Sequence, residues 1–419
     1  MRVALLNDSF PPQVDGVVNA VVNYAAVLSA RGHDVTVAVP SNPDAVDDYS
    51  FPVIRYQSLD TTKMFGYRAG NPLSLNAVQS LAAFAPDIVH SHCPIVSTLL
   101  ARTLRETTPA PLVFTYHTKF DIDLRAAIHG KLIQDRLITA LVRNVEACDE
   151  VWTVSRGAGE NLRSIGFKGE YHVMENGVDM PRGRASDGDI ARVNDMFGLA
   201  GSMPVFLFAG RLRWYKGIRL IVEGLAKAMR AGESFRMVFV GDGTDRQEIE
   251  ALCRETGIMP LCVFTGLLKD RELLRALYSR ADLFLFPSAF DTNGIVVREA
   301  AACGLGALLL EGSCAAEGVT DGVNGLFMQA DADSLAQKVL YICRHPEEAR
   351  RIGQNAQDQL YLSWDTAVSR AEARYRDVIK RHADFPPKPR RDLFPFVSDC
   401  VEAVIKLKEI EKLIVDMIR

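Results

Sequence analysis

Short apolar runs recur along most of this chain, each followed by a polar loop and then by a stretch with helical spacing. RVALLN reads as a buried strand, DSFPPQVDG as a loop, and VVNAVVNYAAVLSARG as a helix that stops at Gly32, a residue suited to a helix end. DVTVAVP is a second strand. A strand, a helix and a strand within about 40 residues form a βαβ unit and therefore a parallel sheet. The rhythm continues through DIVHSH at 87–92, a helix near 95–106, LVFTYH, a helix at 130–147 and EVWTVS. It starts again with PVFLFAG, FRMVFVG, CVFTG and LFLFPS. A chain of 419 residues exceeds one ordinary core. The expected architecture is therefore α/β, with two doubly wound Rossmann-like domains facing across a cleft. Residues 1–182 form the first domain and 203–362 the second. The polar, glycine-containing segment 183–202 reads as the linker.

Beyond about residue 331 the pattern is helical. SWDTAVSRAEARYRDVIKRH carries an apolar stripe at Trp364, Val368, Ala371 and Tyr375. A proline- and base-rich spacer precedes an amphipathic helical tail, so that 384–419 forms a C-terminal helical extension, with Ala403, Leu407, Ile410, Ile414 and Met417 on one face.

Composition narrows the function. A net charge of −4 supplies no basic field for nucleic acid. The eight cysteines are scattered, with no C-x-x-C pair, and several sit in apolar runs where they read as buried free thiols, a usage that fits a reducing cytoplasm. The opening MRVALLNDSF reads as a strand rather than a secretory leader. No apolar run approaches the ~20 residues of a membrane span, so any membrane contact is expected to be peripheral.

The most specific chemistry lies in FPSAFDTNGIVVREAAACG, residues 286–304. A strand breaks at Pro287 into a loop carrying Asp291, Thr292, Asn293 and Gly294. A helix then starts near Ile295 and holds Glu299 on its early turns. The helix N-terminus lies between the two carboxylates, and its free N–H groups can hold phosphate. The two acids can then reach hydroxyls on either side of a diphosphate, as a nucleotide-sugar site requires. GRLRWYKG, residues 210–217, places Arg211 and Lys216 in the loop after another strand, where two cations can neutralise a diphosphate leaving group.

Weaker signals surround these two. In VGDGTDRQEIE, Gly241 and Gly243 permit close backbone approach, but the spacing is not the G-x-G-x-x-G of a nicotinamide enzyme. FTGLL, with Leu267, reads equally as a base-edge contact or a plain strand-to-helix turn. Asp15-Gly16 precedes a helix, either as an anion contact or simply as a helix start. In TYHTKFD, His117 stands just past a strand end beside Thr118, Lys119 and Asp121. His90 and His92 flank a similar strand end, but no carboxylate or cysteine cluster completes a metal site.

Together the loop Asp15-Gly16, TYHT at 115–118, VS at 154–155, ENGVD at 175–179, GRLRWYKG, VGDG and FPSAFDTNGIVVREAA resemble the family 4 retaining glycosyltransferases of the GT-B fold, over roughly residues 1–380. The resemblance implies a retaining, metal-independent hexosyltransferase that uses a UDP- or GDP-linked sugar as substrate and no cofactor. It implies that Arg211 and Lys216 bind the diphosphate and that Glu299 holds the ribose. Asp291 would contact the donor sugar, and the backbone near Asn293, Gly294 and Ile295 the sugar and phosphate. Gly16 would reach the diphosphate and His117 the reacting sugar. It further implies that a helix at 363–380 crosses back to the first domain. Asp291 departs from the family's usual Glu, and Thr292 from its usual glycine, which leaves the identity of the sugar open.

The acceptor is the least constrained element. Lys119, Arg125, Lys131, Arg136 and Arg143 lie among Leu124, Ile128, Leu132 and Ile133. Some family members with a similar TYHT segment use such a face to reach membrane lipids. A glycerolipid such as diacylglycerol at the inner face of the cell membrane is one expectation, and a soluble sugar or polysaccharide the alternative. Asp121, Asp123 and Asp135 make the segment only mildly basic and favour an ordinary packed helix. An epimerase and a non-catalytic, glycosyltransferase-like binding subunit are the competing classes.

Overall fold

The computed structural model describes residues 1–384, apart from Val14, residues 63–66, Glu106 and His129. All but the first residue of the tail expected over 384–419 lies outside the described residues. The chain divides into two compact units, one of Met1–Glu175 with the helix that begins at Trp364, the other of Asn176–Ser363.

In the first unit, strands β1 (Arg2–Leu6), β2 (Asp34–Pro40) and β3 (Val53–Tyr56) are followed by a two-stranded ribbon, β4 (Ser58–Leu59) and β5 (Ala69–Gly70). Then come β6 (Ile88–Ser91), β7 (Leu112–Tyr116), β8 (Glu150–Thr153) and β9 (His172–Val173). The main sheet runs β3-β2-β1-β6-β7-β8-β9, parallel throughout. Its central strands are buried along nearly their whole length, as expected where helices cover both faces. Those helices are α1 (Gly16–Ala30), α2 (Leu75–Phe84), α3 (Val96–Leu104), α4 (Phe120–Ala127), α5 (Lys131–Glu146) and α6 (Arg156–Ser164).

The second unit opens with α7 (Asp187–Phe197) and then alternates β10 (Val205–Ala209), α8 (Ile218–Arg230), β11 (Arg236–Val240), α9 (Arg246–Glu255), β12 (Cys262–Gly266), α10 (Arg271–Arg280), β13 (Leu283–Phe286), α11 (Ile295–Ala302) and β14 (Ala307–Leu310). It closes with β15 (Leu326–Met328), α12 (Ala332–Arg344) and α13 (Pro346–Leu360). Its parallel sheet is ordered β12-β11-β10-β13-β14-β15.

Three sequence expectations are corrected. The segment read as a linker, 183–202, contains α7, capped by the Ser186 hydroxyl on Asp189 N–H and closed by Gly198 in the left-handed region. Only Val193 of that helix is buried, so its composition reads as loop. The division between units falls at Glu175/Asn176 rather than after 182. The second sheet has six strands where four were expected. β14 follows an alanine-rich apolar helix closely enough to merge with it in pattern, and β15 has only three residues.

The helix expected at 363–380 is α14, Trp364–Asp384, and it belongs to the first unit. Trp364 lies edge-on to Tyr24 of α1 at 6.0 Å, and Tyr375 stacks on Trp152 of β8 at 5.2 Å. Its polar anchor is Glu150, whose carboxylate accepts from Arg374 Nε (2.7 Å), Arg374 Nη2 (2.8 Å), Trp152 Nε1 (2.6 Å) and Arg381. The Glu150 side chain is only 5% exposed. Burial, the largest single influence, favours its neutral form. The hydrogen bonds from Arg374, Trp152 and Arg381 together outweigh burial and hold it below the ordinary 4.5. Such a carboxylate stabilises the fold above its unfolded pKa and loses that contribution as pH falls through the folded value. Glu150→Gln should therefore lower stability by about 1–3 kcal/mol at neutral pH. It should also flatten the loss of Tm on acidification below 4.5. Thermal melts of both proteins across an acid series check this, and parallel Tm curves would remove the assignment.

Candidate active site

In the second sheet the chain order reverses between β10 and β13. Right-handed crossovers then place the following helices on opposite faces, and the loops leaving these two strands form a crevice suited to ligands. These are the loops that carry Arg211 and Lys216 after β10, and Asp291 after β13. They touch at Gly217, which has φ +77°. A side-chain carbon there would lie 2.0 Å from the Pro287 carbonyl oxygen. At Gly241 (φ +125°) it would lie 2.0 Å from the Gly210 oxygen, so the loop after β11 is held equally close.

Polar bonds fix the same loops. Leu212 N–H donates to Asp242 O (3.0 Å), and the Asp245 carboxylate accepts from Trp214 N–H (2.8 Å). Gly243 N–H is taken by the Asp242 carboxylate at 2.8 Å. Gly241 N–H donates to Gly266 O (2.9 Å), and the next residue, Leu267, is 69% exposed at the end of β12.

Lys216 Nζ lies 2.6 Å from Asp291 Oδ2, with both side chains 19% exposed. The ammonium also sits 5.6 Å from the Tyr215 ring centre and 5.5 Å from that of Phe286. Arg211 is exposed, and its guanidinium makes no ion pair among the described residues. The other Asp291 oxygen accepts from Gly294 N–H at 3.2 Å. This amends the sequence reading, in which that N–H was free for a ligand. Asp291, one methylene shorter than Glu, reaches back to cap its own turn. Gly294 caps α11 with φ +62°, Ile295 opens that helix half-buried, and Thr292 is partly exposed. Asn293 is 7% exposed, and neither atom of its amide finds a partner among the described residues.

Glu299 sits in the second turn of α11 and is 8% exposed. Arg271 Nη2 donates to its Oε1 (2.8 Å) and Tyr278 Oη to its Oε2 (3.2 Å). Sequence reading missed both partners. Their spacing puts the two on one face of α10, since residues seven apart share it, but carries no signal that Glu299 lies opposite. The carboxylate is thus held in one orientation.

In the first unit, Asp15 caps α1 by accepting from Val17 and Val18 N–H, each at 2.8 Å, and Gly16 opens the helix. His90 and His92 on β6 and its extension, with Thr115 and His117 on β7 and its extension, share one face of neighbouring strands. His90 Nδ1 lies 2.5 Å from the Tyr375 hydroxyl and its Nε2 2.7 Å from Thr115 Oγ1. Its two nitrogens are thereby occupied. His92 Nδ1 lies 2.9 Å from His117 Nε2. Burial pushes His117 down to about 3, and burial with the neighbouring imidazoles pushes His90 and His92 well down too. All three are neutral at physiological pH. Among the described residues no group of three or more His, Cys, Asp or Glu side chains could hold a metal ion.

Two parallel sheets of doubly wound order, the second with cations and carboxylates converging at its switch point, define a GT-B glycosyltransferase. Residues 14–182 match the family model for Glycosyltransferase Family 4, and residues 194–359 that for Glycosyl transferases group 1. The chain is 30% identical over 314 residues to a GDP-mannose-dependent alpha-mannosyltransferase of Mycobacterium tuberculosis, covering 73% of this chain and 78% of that one. It is 23% identical over 312 residues to an alpha-monoglucosyldiacylglycerol synthase of Streptococcus pneumoniae, covering 73% and 70%. The crystal structure of Anabaena HepE in complex with UDP superposes with a TM-score of 0.74 at 18% identity, covering 90% of this chain and 100% of that one. The chain belongs to the family 4 glycosyltransferases.

If Gly217 sets the closeness of the two loops, Gly217→Ala should destabilise the second unit beyond the ~1–2 kcal/mol of left-handed backbone strain, because the added carbon also meets Pro287. Gly232→Ala is the control, with φ +94° and nothing within 4 Å. Urea unfolding compares them, and equal midpoints would show that the loops are not held at this point.

Proposed function

We propose that this glycosyltransferase is a retaining, metal-independent hexosyltransferase acting on a UDP- or GDP-linked sugar, and that its acceptor is a membrane glycerolipid such as diacylglycerol. The observation that carries the donor reading is the 2.6 Å contact between Lys216 and Asp291 beside the N-terminus of α11. One ligand that joins a phosphate to a sugar would engage both groups together, with Arg211 as the second cation. Glu299, held by Arg271 and Tyr278, receives the ribose hydroxyls. As the bond from the sugar's anomeric carbon to the diphosphate breaks, charge gathers on the leaving oxygen, and Arg211 and Lys216 stabilise it. The acceptor oxygen bonds to the anomeric carbon on the same face and gives its proton to the departing phosphate. His117, neutral, hydrogen-bonds the sugar.

Arg211→Ala and Lys216→Ala should each reduce turnover by about 10²–10³; Arg211→Ala should leave Tm nearly unchanged, whereas Lys216→Ala should also lower it, because Asp291 loses its partner. Near-normal rates in both would remove the diphosphate assignment. Glu299→Gln should weaken binding of the bare nucleoside diphosphate more than Asp291→Asn does, and calorimetry with UDP and GDP decides this. A larger loss for Asp291→Asn reverses the two ends. An inverted product, or loss of turnover on chelation, would defeat the retaining, metal-free reading.

The lipid reading rests on α4 and α5. Ile122 (36%) and Leu132 (69%) are exposed there with Arg125, Lys131, Arg136 and Arg143. Asp121, one of the acids that would offset them, is turned to Asn161 Nδ2 (3.1 Å). Ile128 is buried and Leu124 packs on the core, so these two leave the face. No helix among the described residues is long and apolar enough to cross a membrane. We propose that the protein binds peripherally, at the cytoplasmic surface, through this face of α4 and α5. Each basic group near an anionic surface contributes about 1 kcal/mol. Sedimentation with anionic vesicles at low salt should carry the protein down, and Leu132→Glu with Arg136→Glu should release it. No sedimentation, with normal transfer to a soluble sugar, makes the acceptor soluble.

A further inference from the structure

His92 lies behind His117 and has no place in the reading above. It is wholly buried, between Tyr24 edge-on at 5.5 Å, His90 at 4.0 Å and His117 at 5.2 Å between ring centres. Its Nδ1 is 2.9 Å from His117 Nε2, while its own Nε2 has no partner among the described residues. Two neutral imidazoles in this contact share one proton, and two arrangements exist. If His117 donates from Nε2, His92 accepts at Nδ1 and must carry its own proton on Nε2. That places an N–H donor in a buried position with no acceptor, which is rare and costly. If His92 donates from Nδ1, its Nε2 is a bare lone pair, the lesser penalty, and the contact is satisfied. His90 cannot change this balance, because Tyr375 and Thr115 occupy both its nitrogens.

We infer that His92 is a positioning residue that donates from Nδ1 to His117 Nε2, fixing His117 as the Nδ1–H tautomer and so presenting a hydrogen-bond donor to the substrate. The inference rests on the assignment of His117 above for its link to sugar transfer, but not for the proton placement. A histidine held by a partner on one nitrogen is fixed in tautomer and ring orientation at the other. Here the partner is a second imidazole, so the lock carries no charge. A neutral donor of this kind suits a sugar hydroxyl, which needs no ion pair.

The test uses the full chain with ¹⁵N-labelled histidine. Long-range proton–nitrogen NMR reads which ring nitrogen of His117 is protonated, with the His117→Gln spectrum identifying its signals. The wild type should show His117 protonated at Nδ1. His92→Phe, similar in bulk but without a donor, should give a tautomer mixture. It should also lower kcat by about 10–100-fold, the cost of losing the partner that orients a metal-ligating histidine, with donor KM little changed. His92→Asn, whose amide nitrogen falls where Nδ1 was, should restore the Nδ1–H signal and most of kcat. A merely structural role would not predict the tautomer change or its recovery. Protonation of His117 at Nε2 in the wild type overturns the inference, and needs no variant to fold. So does an unchanged tautomer in His92→Phe. A changed tautomer with an unchanged kcat breaks the link to transfer and sinks the assignment of His117 instead.

Discussion

β10 and β13 are adjacent parallel strands whose following helices pass to opposite faces of the sheet. No helix can cover the space between their C-terminal ends. The two loops that leave these strands bond their backbone within themselves and to the loop after β11, as Gly217 N–H does to Trp214 O and Leu212 N–H to Asp242 O, and they also touch each other. Gly217 lies against Pro287, and Lys216 reaches Asp291. The helix N-terminus at Ile295 and the carboxylate of Glu299 take their places from that contact, because both belong to the helix that the second loop begins. The charged groups of this crevice gather at a topological gap filled by two short polar loops.

The first unit repeats the arrangement with different chemistry. Its sheet also reverses order, between β1 and β6. There the buried Asp8 carboxylate accepts from Val96 and Ser97 N–H at the start of α3. Burial pushes this carboxyl up, against the pull of those same bonds. Along the neighbouring strand ends the site is built from neutral imidazoles in place of charges. Desolvation near hydrophobic and aromatic neighbours disfavours imidazolium, and His90, His92 and His117 are all pushed down by it. One unit therefore offers fixed charge suited to a diphosphate, and the other neutral hydrogen bonds suited to hydroxyls.

α14 gives the first unit its closure. It leaves the second unit's chain at Trp364 and packs on α1 and β8, held by Glu150 between Arg374 and Arg381. The same helix supplies the Tyr375 hydroxyl that occupies His90. A single helix thus ties the histidine row to the core, although its residues stand nearly three hundred positions away in the chain.

Much of this was legible in the sequence, for a physical reason. Buried parallel strands are continuous apolar runs and the crossovers between them are helical, so the α/β class and two sheets follow from local pattern. Loops at the C-terminal ends of such strands are where ligands sit, which singled out Arg211, Lys216, Asp291 and Glu299. What the sequence left hidden was who meets whom. Lys216 and Asp291 are 75 residues apart, Glu299 and Arg271 28, and His92 and His117 25. No local period reports such pairs, because sheet order and register create them. The three-residue β15 was beyond local reading, since the strand it pairs with stabilises it, and α7, although capped locally by Ser186 and Gly198, buries only Val193 and so shows no apolar stripe. The chain's pattern determined its layers and the kinds of groups at the strand ends. Only the tertiary structure decided which nitrogen faces which oxygen, because that depends on contacts made across the sheet.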